Sequence, residues 1–336
     1  MAAADAAGLE IMKQVFTKLW QRQHSWVMVS LFVIVFGGFG TYLLVESHAT
    51  TPTAGIEGES GTASTPAGVV NDSTASGGKA IKFGPGNGSG NLVWDDEFNG
   101  SSVDTSKWTV WDTTLSYDAE YNTSRPQNVF EQNGILTERA IKESYGGRSY
   151  TSAYLNTIGK QNFGVGYAYE IRAKTPTQPN TSAGIWPAFW LRSNETTAEV
   201  DIGEWYGTPQ PADPNNHSNK VTITVHSDTT GGSTDTKDGY DAVFDNFFPV
   251  GTTPWSAFHT YRCEVKTDGY YFYIDGVLVH SVLLKDKPWI AAGLGSTWNM
   301  RLNLQIGLAG KWAGAPGANT IFPADFQVDY VRIYKL

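Results

Sequence analysis

The sequence predicts an all-β protein, a sandwich or barrel formed by one C-terminal domain that follows a membrane-spanning helix and a flexible linker. Short stretches of residues 91–336 alternate between apolar and polar side chains, with turn residues between them, and no long stretch has helical periodicity. Aromatic residues make up 13% of the chain and there are 36 glycines, whereas only 17% of the residues are charged. This composition is typical of an aromatic, turn-rich β protein.

The composition and the charge exclude several classes of protein. A disordered chain or a coiled coil would be poorer in aromatic residues and richer in charged ones. The formal net charge of −9 argues against sequence-independent binding to nucleic acid phosphates. The single cysteine, Cys263, excludes an intrachain disulfide and a multi-cysteine metal site. Its position between Tyr261-Arg262 and Glu264-Val265 indicates a small core residue.

An uncharged apolar run at residues 26–45 has the length needed to cross a bilayer as a helix. The basic residues that precede it are Lys13, Lys18 and Arg22. By the positive-inside rule, the run is a signal anchor that leaves residues 1–25 in the cytoplasm and exports the rest of the chain. We therefore expect a single-pass protein of the cell membrane with its folded domain outside the cell.

A cleaved signal peptide is the alternative for the apolar run, and it would make the domain a secreted protein. Small residues at Ser47 and Ala49 are spaced like a cleavage site. Residues 1–25 are long for the segment that precedes the apolar core of such a peptide, which favours the uncleaved anchor.

Residues 46–90 have the composition of a linker. Of these 45 positions, 31 are Gly, Ser, Thr, Ala or Pro, and the single aromatic residue is Phe83. Such a segment cannot bury enough apolar surface to offset the loss of chain entropy on folding. We expect it to behave as a flexible tether, with residues 91–336 as the folded domain.

Three segments of the domain carry the clearest strand patterns. Residues 167–174 and 221–225 alternate between apolar side chains and polar or charged ones, as half-buried strands do. Asp275-Gly276 separates two further strand-like segments, and this pair of residues favours a tight hairpin turn.

The most informative segment contains three carboxylates, Glu199, Asp201 and Glu204. On a regular strand Glu199 and Asp201 point to one face, whereas Glu204 would point to the other. One extra residue in a β-bulge resets this alternation, and Gly203 is suited to supply it. The three carboxylates then share one face, where two carboxyls about 5–5.5 Å apart would suit double-displacement glycoside hydrolysis.

Two other interpretations of this segment remain open at the level of sequence. The carboxylates could form an acidic strand face in solvent, although three like charges on one face repel. They could also form a calcium site, because hard cations bind clusters of carboxylate oxygens.

Two tryptophans lie shortly before the carboxylates. In a strand, Trp186, Ala188 and Trp190 share a face, and Phe189 and Leu191 point the other way. Flat indole rings on such a face suit the apolar faces of pyranose rings, so they predict a sugar-binding platform. The alternative for any tryptophan is packing in the core.

The run GIWPAFWLRS followed by EVDIGEWYG resembles the signature of glycoside hydrolase family 16, in the bulged E-x-D-x-x-E form of laminarinase-like endo-β-1,3-glucanases. The resemblance extends over residues 91–336. The further matching blocks are residues 92–100, 106–108, 125–129, 133–136, 150–153, 258–261, 272–276 and 328–334. The resemblance implies a β-jelly-roll sandwich of the concanavalin-like type, with the substrate cleft on its concave face.

The resemblance also implies roles for individual residues. Glu199 would be the nucleophile, Glu204 the acid and then the base, and Asp201 the residue between them that tunes their protonation. His226 matches a histidine that the family places near the cleft, with a structural histidine as the alternative. The residues implied as sugar contacts are Asn128, Trp186, Trp190 and Trp205. A structural calcium would be held by Glu97, the carbonyl of Gly134 and Asp329, whereas catalysis itself would need no cofactor.

The function expected from these observations is endo-acting, retaining hydrolysis of a β-linked polysaccharide outside the cell, with β-1,3-glucan as the first substrate to test. The alternatives are a non-catalytic glucan-binding receptor and a transglycosylase that remodels cell-wall glycan. The expected partners are the polysaccharide and, through residues 26–45, the membrane; nucleic acid is not expected, and the protein is expected to be a monomer.

Overall fold

The computed structural model describes the domain and two short segments before it. The described residues are 67–71, 79–83, 90–211, 213, 215, 217–229 and 235–336, with the backbone alone for the first two ranges. Within them, no helix has both the length and the apolar character needed to cross a membrane. The predicted span at residues 26–45, the segment before it and most of the predicted linker lie outside the described residues.

The described part of the chain is made almost entirely of strands. They are β1 (Ala67–Asn71), β2 (Lys79–Phe83), β3 (Asn91–Asp96), β4 (Thr109–Val110), β5 (Thr113–Thr114), β6 (Glu120–Asn122), β7 (Val129–Gln132), β8 (Ile135–Ala140), β9 (Tyr150–Ser152), β10 (Tyr154–Asn156), β11 (Tyr167–Lys174), β12 (Ile185–Ser193), β13 (Glu199–Glu204), β14 (Lys220–His226), β15 (Lys237–Val243), β16 (His259–Lys266), β17 (Gly269–Ile274), β18 (Val277–Leu283), β19 (Trp298–Ile306) and β20 (Ala324–Lys335). The helical segments are the 3₁₀ turns Phe244–Asn246 and Pro288–Ile290 and the short helix α1 (Ala291–Leu294).

Two large antiparallel sheets account for most of these strands. The seven-stranded sheet has the order β15-β14-β13-β12-β19-β10-β4, and the eight-stranded sheet has the order β18-β17-β16-β11-β20-β8-β7, with β3 also paired to β20. A small sheet contains β5, β6 and β9, and β1 pairs with β2 within the predicted linker. The predicted all-β sandwich is confirmed.

The core lies between the inner faces of the two large sheets. Val200 and Ile202 of β13 and Ile171 of β11 belong to one cluster of buried apolar side chains. The free thiol of Cys263 on β16 is fully buried in the same cluster, as the sequence predicts. The alternation of apolar and polar residues therefore seals one face of each sheet and leaves the other face for polar side chains.

The hairpin predicted around Asp275-Gly276 is confirmed. It joins β17 to β18, and the φ angles of the two turn residues are 46° and 78°. Both angles are positive, as this type of two-residue hairpin turn requires, and Gly276 adopts such an angle without steric cost. The strands predicted at residues 167–174 and 221–225 correspond to β11 and β14.

Candidate active site

The predicted β-bulge is present in β13, near the middle of the seven-stranded sheet. Asp201 pairs with Thr224 of β14, and Glu204 pairs with Thr222. The chain thus advances three residues on β13 over a distance that takes two residues on β14. The pairing with β12 shifts at the same place, between Phe189 and Trp190. The extra residue resets the side-chain alternation, and Glu204 therefore points to the same face as Glu199 and Asp201.

Gly203 lies in the bulge for a steric reason. A Cβ atom at this position would come within 2.7 Å and 2.8 Å of two ring atoms of the Trp205 indole. Gly203 is not one of the residues with a positive φ angle. Close approach of the neighbouring indole, rather than an unusual backbone angle, therefore requires glycine here.

The three carboxylates line a cavity of about 380 Å³ on the outer face of the seven-stranded sheet. An adjoining cavity of about 300 Å³ shares Trp186 and all three carboxylates with it. The residues that line one cavity or both are Tyr117, Trp186, Ala188, Trp190, Arg192, Glu199, Asp201, Glu204, Tyr206, Thr222, Thr224, His226, Thr229, Lys237, Arg301, Gln305 and Trp312. We call these two cavities together the cleft.

Glu199 is held by a cation and a hydroxyl. Its Oε2 atom lies 2.9 Å from Nη1 of Arg192 and accepts a hydrogen bond from the hydroxyl of Thr229 at 3.3 Å. Burial and the negative charge of Asp201 raise the pKa of Glu199 to about 7, and the positive charges of His226 and Arg192 oppose this rise. The two cations thus favour the ionised form of Glu199, whereas its burial disfavours that form.

Glu204 has neutral hydrogen-bond partners. Nε1 of Trp186 donates to its Oε1 atom at 3.0 Å, and Tyr206 forms a second hydrogen bond. Burial raises the pKa of Glu204 well above its usual value, and the charges of Asp201 and Glu199 raise it further. This carboxyl group therefore stays protonated at a pH where an exposed glutamate has lost its proton.

Asp201 is linked to a histidine that is itself held by a second aspartate. Nε2 of His226 lies 3.3 Å from Oδ2 of Asp201, and Nδ1 lies 2.7 Å from Oδ2 of Asp235. Burial would lower the pKa of His226, but its hydrogen bonds to Asp201 and Asp235 and the charges of Asp201 and Glu199 raise it to about 9. The imidazole is therefore a cation at neutral pH.

The protonation of His226 bears on the alternative of a metal at the carboxylates. Within the described residues, Glu199, Asp201 and His226 bring one potential ligand atom each to within 4.8 Å of one another. A histidine ligates metals through an unprotonated nitrogen. Both ring nitrogens of His226 face aspartates, and the ring is charged. Because this imidazolium already supplies a positive charge beside the carboxylates, a calcium ion is disfavoured there.

Aromatic side chains flank the carboxylates on both sides. Trp186 packs beside Tyr206 with ring centroids 5.3 Å apart, and Tyr206 packs against Trp312 at 6.0 Å. On the other side, Trp190 lies 6.3 Å from Tyr154 and donates a hydrogen bond from its Nε1. Trp186 and Trp190 thus line the cleft, as the strand alternation predicts.

An arginine without an acidic partner lies at the Trp190 side of the cleft. Nη1 of Arg301 donates to the hydroxyl of Tyr154 at 2.9 Å, and its Nε donates to the amide oxygen of Asn299 at 3.1 Å. Its guanidinium carbon lies 4.8 Å from the ring centroid of Trp190 and 5.6 Å from that of Trp111. No carboxylate in the described part of the chain forms an ion pair with this guanidinium, so its charge is available to a ligand.

Two residues expected to contact sugar do not line the cleft. Trp205 is fully buried between the sheets, with its ring centroid 4.7 Å from Tyr261 and 5.7 Å from Phe326. It follows Glu204 directly, so the alternation that exposes Glu204 turns Trp205 into the core. Asn128 is also fully buried, where its amide donates to the carbonyl of Arg139 and to the Thr151 hydroxyl. Both have structural roles in this fold.

The residues expected to hold a structural calcium are paired with arginines. Both carboxylate oxygens of Glu97 accept hydrogen bonds from Arg332, at 2.6 Å and 2.8 Å, and Asp329 forms an ion pair with Arg172. Two guanidinium groups already neutralise these carboxylates, and they repel a divalent cation. The side chains as arranged do not fit a calcium ion held by Glu97, Asp329 and the Gly134 carbonyl.

Sequence reasoning missed several residues of the cleft, and alternation would have identified some of them. Arg192 continues the Trp186–Trp190 face of β12, and Arg301 and Gln305 lie on the polar face of β19 opposite Leu302 and its apolar neighbours. Thr222 and Thr224 lie on β14 and Lys237 lies on β15. Tyr117, Tyr206, Thr229 and Trp312 come from loops, where no periodic signal exists.

Comparisons with known proteins agree with this geometry. The family model described as Beta-porphyranase A-D, GH16 domain, matches residues 93–336. The chain is 28% identical over 279 residues to glucan endo-1,3-beta-glucosidase A1 of Niallia circulans. This alignment covers 73% of this chain and 38% of that protein. It is 28% identical over 252 residues to keratan-sulfate endo-1,4-beta-galactosidase of Sphingobacterium multivorum, covering 73% of this chain and 55% of that protein.

A solved structure supports the same relationship. Endo-beta-1,3-glucanase from Pyrococcus furiosus superposes with a TM-score of 0.60 at 29% sequence identity, over 73% of this chain and 94% of that one. The chain spans well under two thirds of the length of the Niallia and Sphingobacterium relatives. The match of the family model over most of the chain, together with the bulged carboxylate strand, shows that this chain belongs to glycoside hydrolase family 16.

Proposed function

We propose that this protein is an endo-acting, retaining hydrolase of β-linked polysaccharide, with β-1,3-glucan as the first substrate to test. The observation that carries the proposal is the unequal environment of two carboxyl groups on one strand. Glu199 has an arginine and a protonated histidine near it, whereas Glu204 has neutral hydrogen-bond donors. Pairs of carboxyls whose surroundings separate their pKa values supply the base and the acid of glycosidases.

The first half of the reaction uses the two carboxyls in their different protonation states. The Glu199 carboxylate attacks the anomeric carbon, and the bond from that carbon to the leaving oxygen breaks. Glu204 gives its proton to that oxygen, which departs as a hydroxyl of the released chain. The products are a glycosyl ester on Glu199 and an ionised Glu204.

The second half returns both groups to their starting states. The ionised Glu204 takes a proton from a water molecule, whose oxygen attacks the anomeric carbon of the ester. Glu199 leaves as a carboxylate, and the sugar regains its original β configuration after two inversions. Asp201, which is held by the cationic His226, lies between the two groups. Its negative charge raises the pKa of Glu204, so this carboxyl takes up its proton again in the second half of the reaction.

The proposal is tested by assaying the full chain for new reducing ends on laminarin, mixed-linkage glucan, agarose and carrageenan. We expect cleavage of at least one polymer with a rapid fall in its average length, and a β-configured first product by NMR. Glu199→Gln should abolish cleavage and Glu204→Gln should slow it by about 10²- to 10⁴-fold, whereas Glu195→Gln, in the loop before β13, should leave it unchanged. Activity unaffected by Glu199→Gln and Glu204→Gln would refute the mechanism.

The two other functions expected from sequence give different outcomes in the same assay. A transglycosylase would form oligosaccharides longer than the starting material, because a sugar hydroxyl replaces water in the second step. A glucan-binding receptor would bind laminarin and release no product over long incubation.

Arg301 favours a second candidate substrate class, polysaccharides with anionic substituents. Its guanidinium lies in the cleft between Trp190 and Trp111 without an acidic partner, and guanidinium groups bind sulfate and carboxylate through paired hydrogen bonds. One relative is named for its action on keratan sulfate, and the matching family model for porphyranases. Both keratan sulfate and porphyran therefore belong in the substrate panel.

The test of this second candidate compares keratan sulfate with its chemically desulfated form. If Arg301 binds a sulfate group, Arg301→Gln should reduce the preference for the sulfated polymer by about tenfold, which corresponds to one charge-assisted contact. Arg301→Lys should retain part of the preference. An equal effect of Arg301→Gln on both polymers would rule out this role.

The place of the enzyme in the cell is a further part of the proposal. The uncharged run at residues 26–45, with basic residues before it, supports a membrane anchor with the catalytic domain outside the cell. Full-length protein should then remain in the membrane fraction after alkaline washing, and protease added to intact cells should digest the domain. Release of the protein into the medium would instead indicate cleavage of the apolar segment.

A further inference from the structure

A second groove lies outside the cleft, where the ends of β11 and β20 meet the loops beside them. Its volume is about 280 Å³, and none of its lining residues lines the cleft. The lining residues are Lys174, Thr175, Pro176, Gln178, Thr181, Trp255, Ile321, Pro323, Ala324, Asp325 and Gln327. We call this cavity the Trp255 groove.

Backbone hydrogen bonds fix the walls of the Trp255 groove. Lys174 and Gln327 are paired across β11 and β20. The amide of Thr175 donates to the carbonyl of Pro254 at 3.0 Å, which ties the Trp255 loop to the end of β11. The amide of Ile321 donates to the carbonyl of Thr181 at 2.9 Å. The groove is therefore preformed, and a ligand would not have to order these segments on binding.

Trp255 is half-buried but is not packed into the core. The half-buried aromatic residues that do pack against the core cluster include Trp94 and Trp289, and Trp255 is not one of them. Among the described residues, its indole has no ring contact and no hydrogen bond. Ile321, 61% exposed, lies in the same groove. A half-buried indole that lines a groove beside exposed aliphatic atoms is the type of surface that the apolar face of a sugar ring covers.

Polar groups that are free to bind a ligand surround this apolar surface. Within the described part of the chain, the ammonium group of Lys174 and the side-chain amides of Gln178 and Gln327 have no hydrogen-bond or ionic partner. Asp325 is held by Arg139 through two hydrogen bonds of 2.7 Å. Amide groups both donate and accept hydrogen bonds, so they suit sugar hydroxyls, which also do both.

We propose that the Trp255 groove is a second binding site for a polysaccharide chain, separate from the cleft. This inference rests on the proposed function, because it assigns to the groove a segment of the same polymer that the cleft cleaves. A sugar ring would stack on Trp255, and its hydroxyls would bond to Gln178, Gln327 and Lys174. The loop from Trp312, in the cleft, to Ile321, in the groove, joins the two sites along the chain.

A second site of this kind acts through local concentration. A polymer held in the groove stays near the cleft, so cleavage of long chains gains from the second contact. A short oligosaccharide that fills only the cleft gains nothing. The groove should therefore lower the KM for polymer and leave the KM for short oligosaccharides and the kcat unaffected.

The test measures retention of the full chain in native gels that contain laminarin, with porphyran gels in parallel. All proteins carry Glu199→Gln, so the polymer is not degraded during the run. Adding Trp255→Ala should weaken retention about two- to tenfold, the effect of losing one aromatic contact. Gln178→Ala, at an exposed loop position, should weaken it in the same direction without disturbing the fold.

The control is Tyr271→Ala, which removes a half-buried aromatic ring from another groove of the same eight-stranded sheet. The inference would be overturned if three variants were retained equally: Trp255→Ala, Gln178→Ala and Tyr271→Ala. It would also be overturned if neither polymer retained the parent protein. Failure of the proposed function appears separately, as the absence of cleavage by the unsubstituted chain. With Glu199 intact, Trp255→Ala should raise the KM for polymer alone.

Discussion

Nη1 of Arg192 lies 2.9 Å from Oε2 of Glu199, whereas the Oε1 atom of Glu204 accepts a hydrogen bond from the neutral indole nitrogen of Trp186. Both partners are supplied by one face of β12, six residues apart. The neighbouring strand thus presents a cation to one carboxyl and a neutral donor to the other. This difference assigns the nucleophile and the acid in the proposed reaction.

The role of Glu204 as acid predicts a dependence on the leaving group. Glu204→Gln removes the proton donor, so kcat/KM on polymer should fall by about 10²- to 10⁴-fold. A dinitrophenyl glycoside needs no proton to depart, so the first step on this substrate should lose far less. The measurement is kcat/KM on both substrates, with burst kinetics to show accumulation of the glycosyl-enzyme. Equal losses on both substrates would contradict this role.

The ion pair of Arg192 with Glu199 predicts a change in the pH profile. Glu199 attacks only when ionised, and the cation stabilises the ionised form. Arg192→Gln should therefore raise the pKa of Glu199 and move the acidic limb of the kcat/KM profile upward by about one pH unit. Arg172→Gln, which breaks the pair with Asp329 away from the cleft, should leave the limb in place. A downward movement would disprove the stabilising role of Arg192.

The bulge predicts a steric cost at Gly203. In Gly203→Ala the new Cβ atom would overlap the Trp205 indole, and the free energy of unfolding should fall by about 1–3 kcal/mol. Gly239→Ala on β15 is the matched control, because the nearest atom to its Cβ would be 3.8 Å away. Urea unfolding of both variants makes the comparison. Equal stabilities would show that the indole moves aside without cost.

The buried carboxyl of Glu138 predicts a pH dependence of stability. Glu138 is fully buried, neither of its oxygens has a hydrogen-bond partner within the described residues, and burial raises its pKa well above the usual value. At a pH between the pKa of Glu138 in the unfolded chain and its higher pKa in the folded state, the folded state therefore binds one more proton than the unfolded chain. Stability should fall by about 1 kcal/mol per pH unit as the pH rises toward the folded-state pKa.

Glu138→Gln carries no titrating group and should remove this part of the slope. Urea unfolding of both proteins at pH 5, 6 and 7 isolates the effect, since Asp118 and Glu120, whose pKa values burial also raises, remain in both. Glu195→Gln, at an exposed position, should keep the full slope. Parallel stability curves for the unsubstituted and Glu138→Gln proteins would show that Glu138 does not titrate as expected.

Local patterns in the sequence predicted the strands and the carboxylate face. The alternation along β11 and β14, the Asp275-Gly276 turn and the bulge at Gly203 depend on neighbouring residues, and the structure has each of them. The same reasoning, carried one residue further, places Trp205 in the core. The expectation that Trp205 contacts sugar came from the family resemblance, and the strand alternation contradicts it.

Residues distant in the chain decided what local patterns could not. Glu97 meets Arg332, and Asp329 meets Arg172, so the carboxylates expected to bind calcium are neutralised by arginines. Asn128 is buried by contacts with β8 and β9 rather than exposed to sugar.

The sequence by itself determined an all-β domain with three carboxylates on one strand face, because strand alternation and turn preference are properties of adjacent residues. The tertiary structure alone decided which cation stands beside Glu199, that the charge of Arg301 is available, and that Trp255 lies in a groove of its own. The physical reason is that the pKa of a buried group and the exposure of a side chain depend on neighbours that only folding brings together.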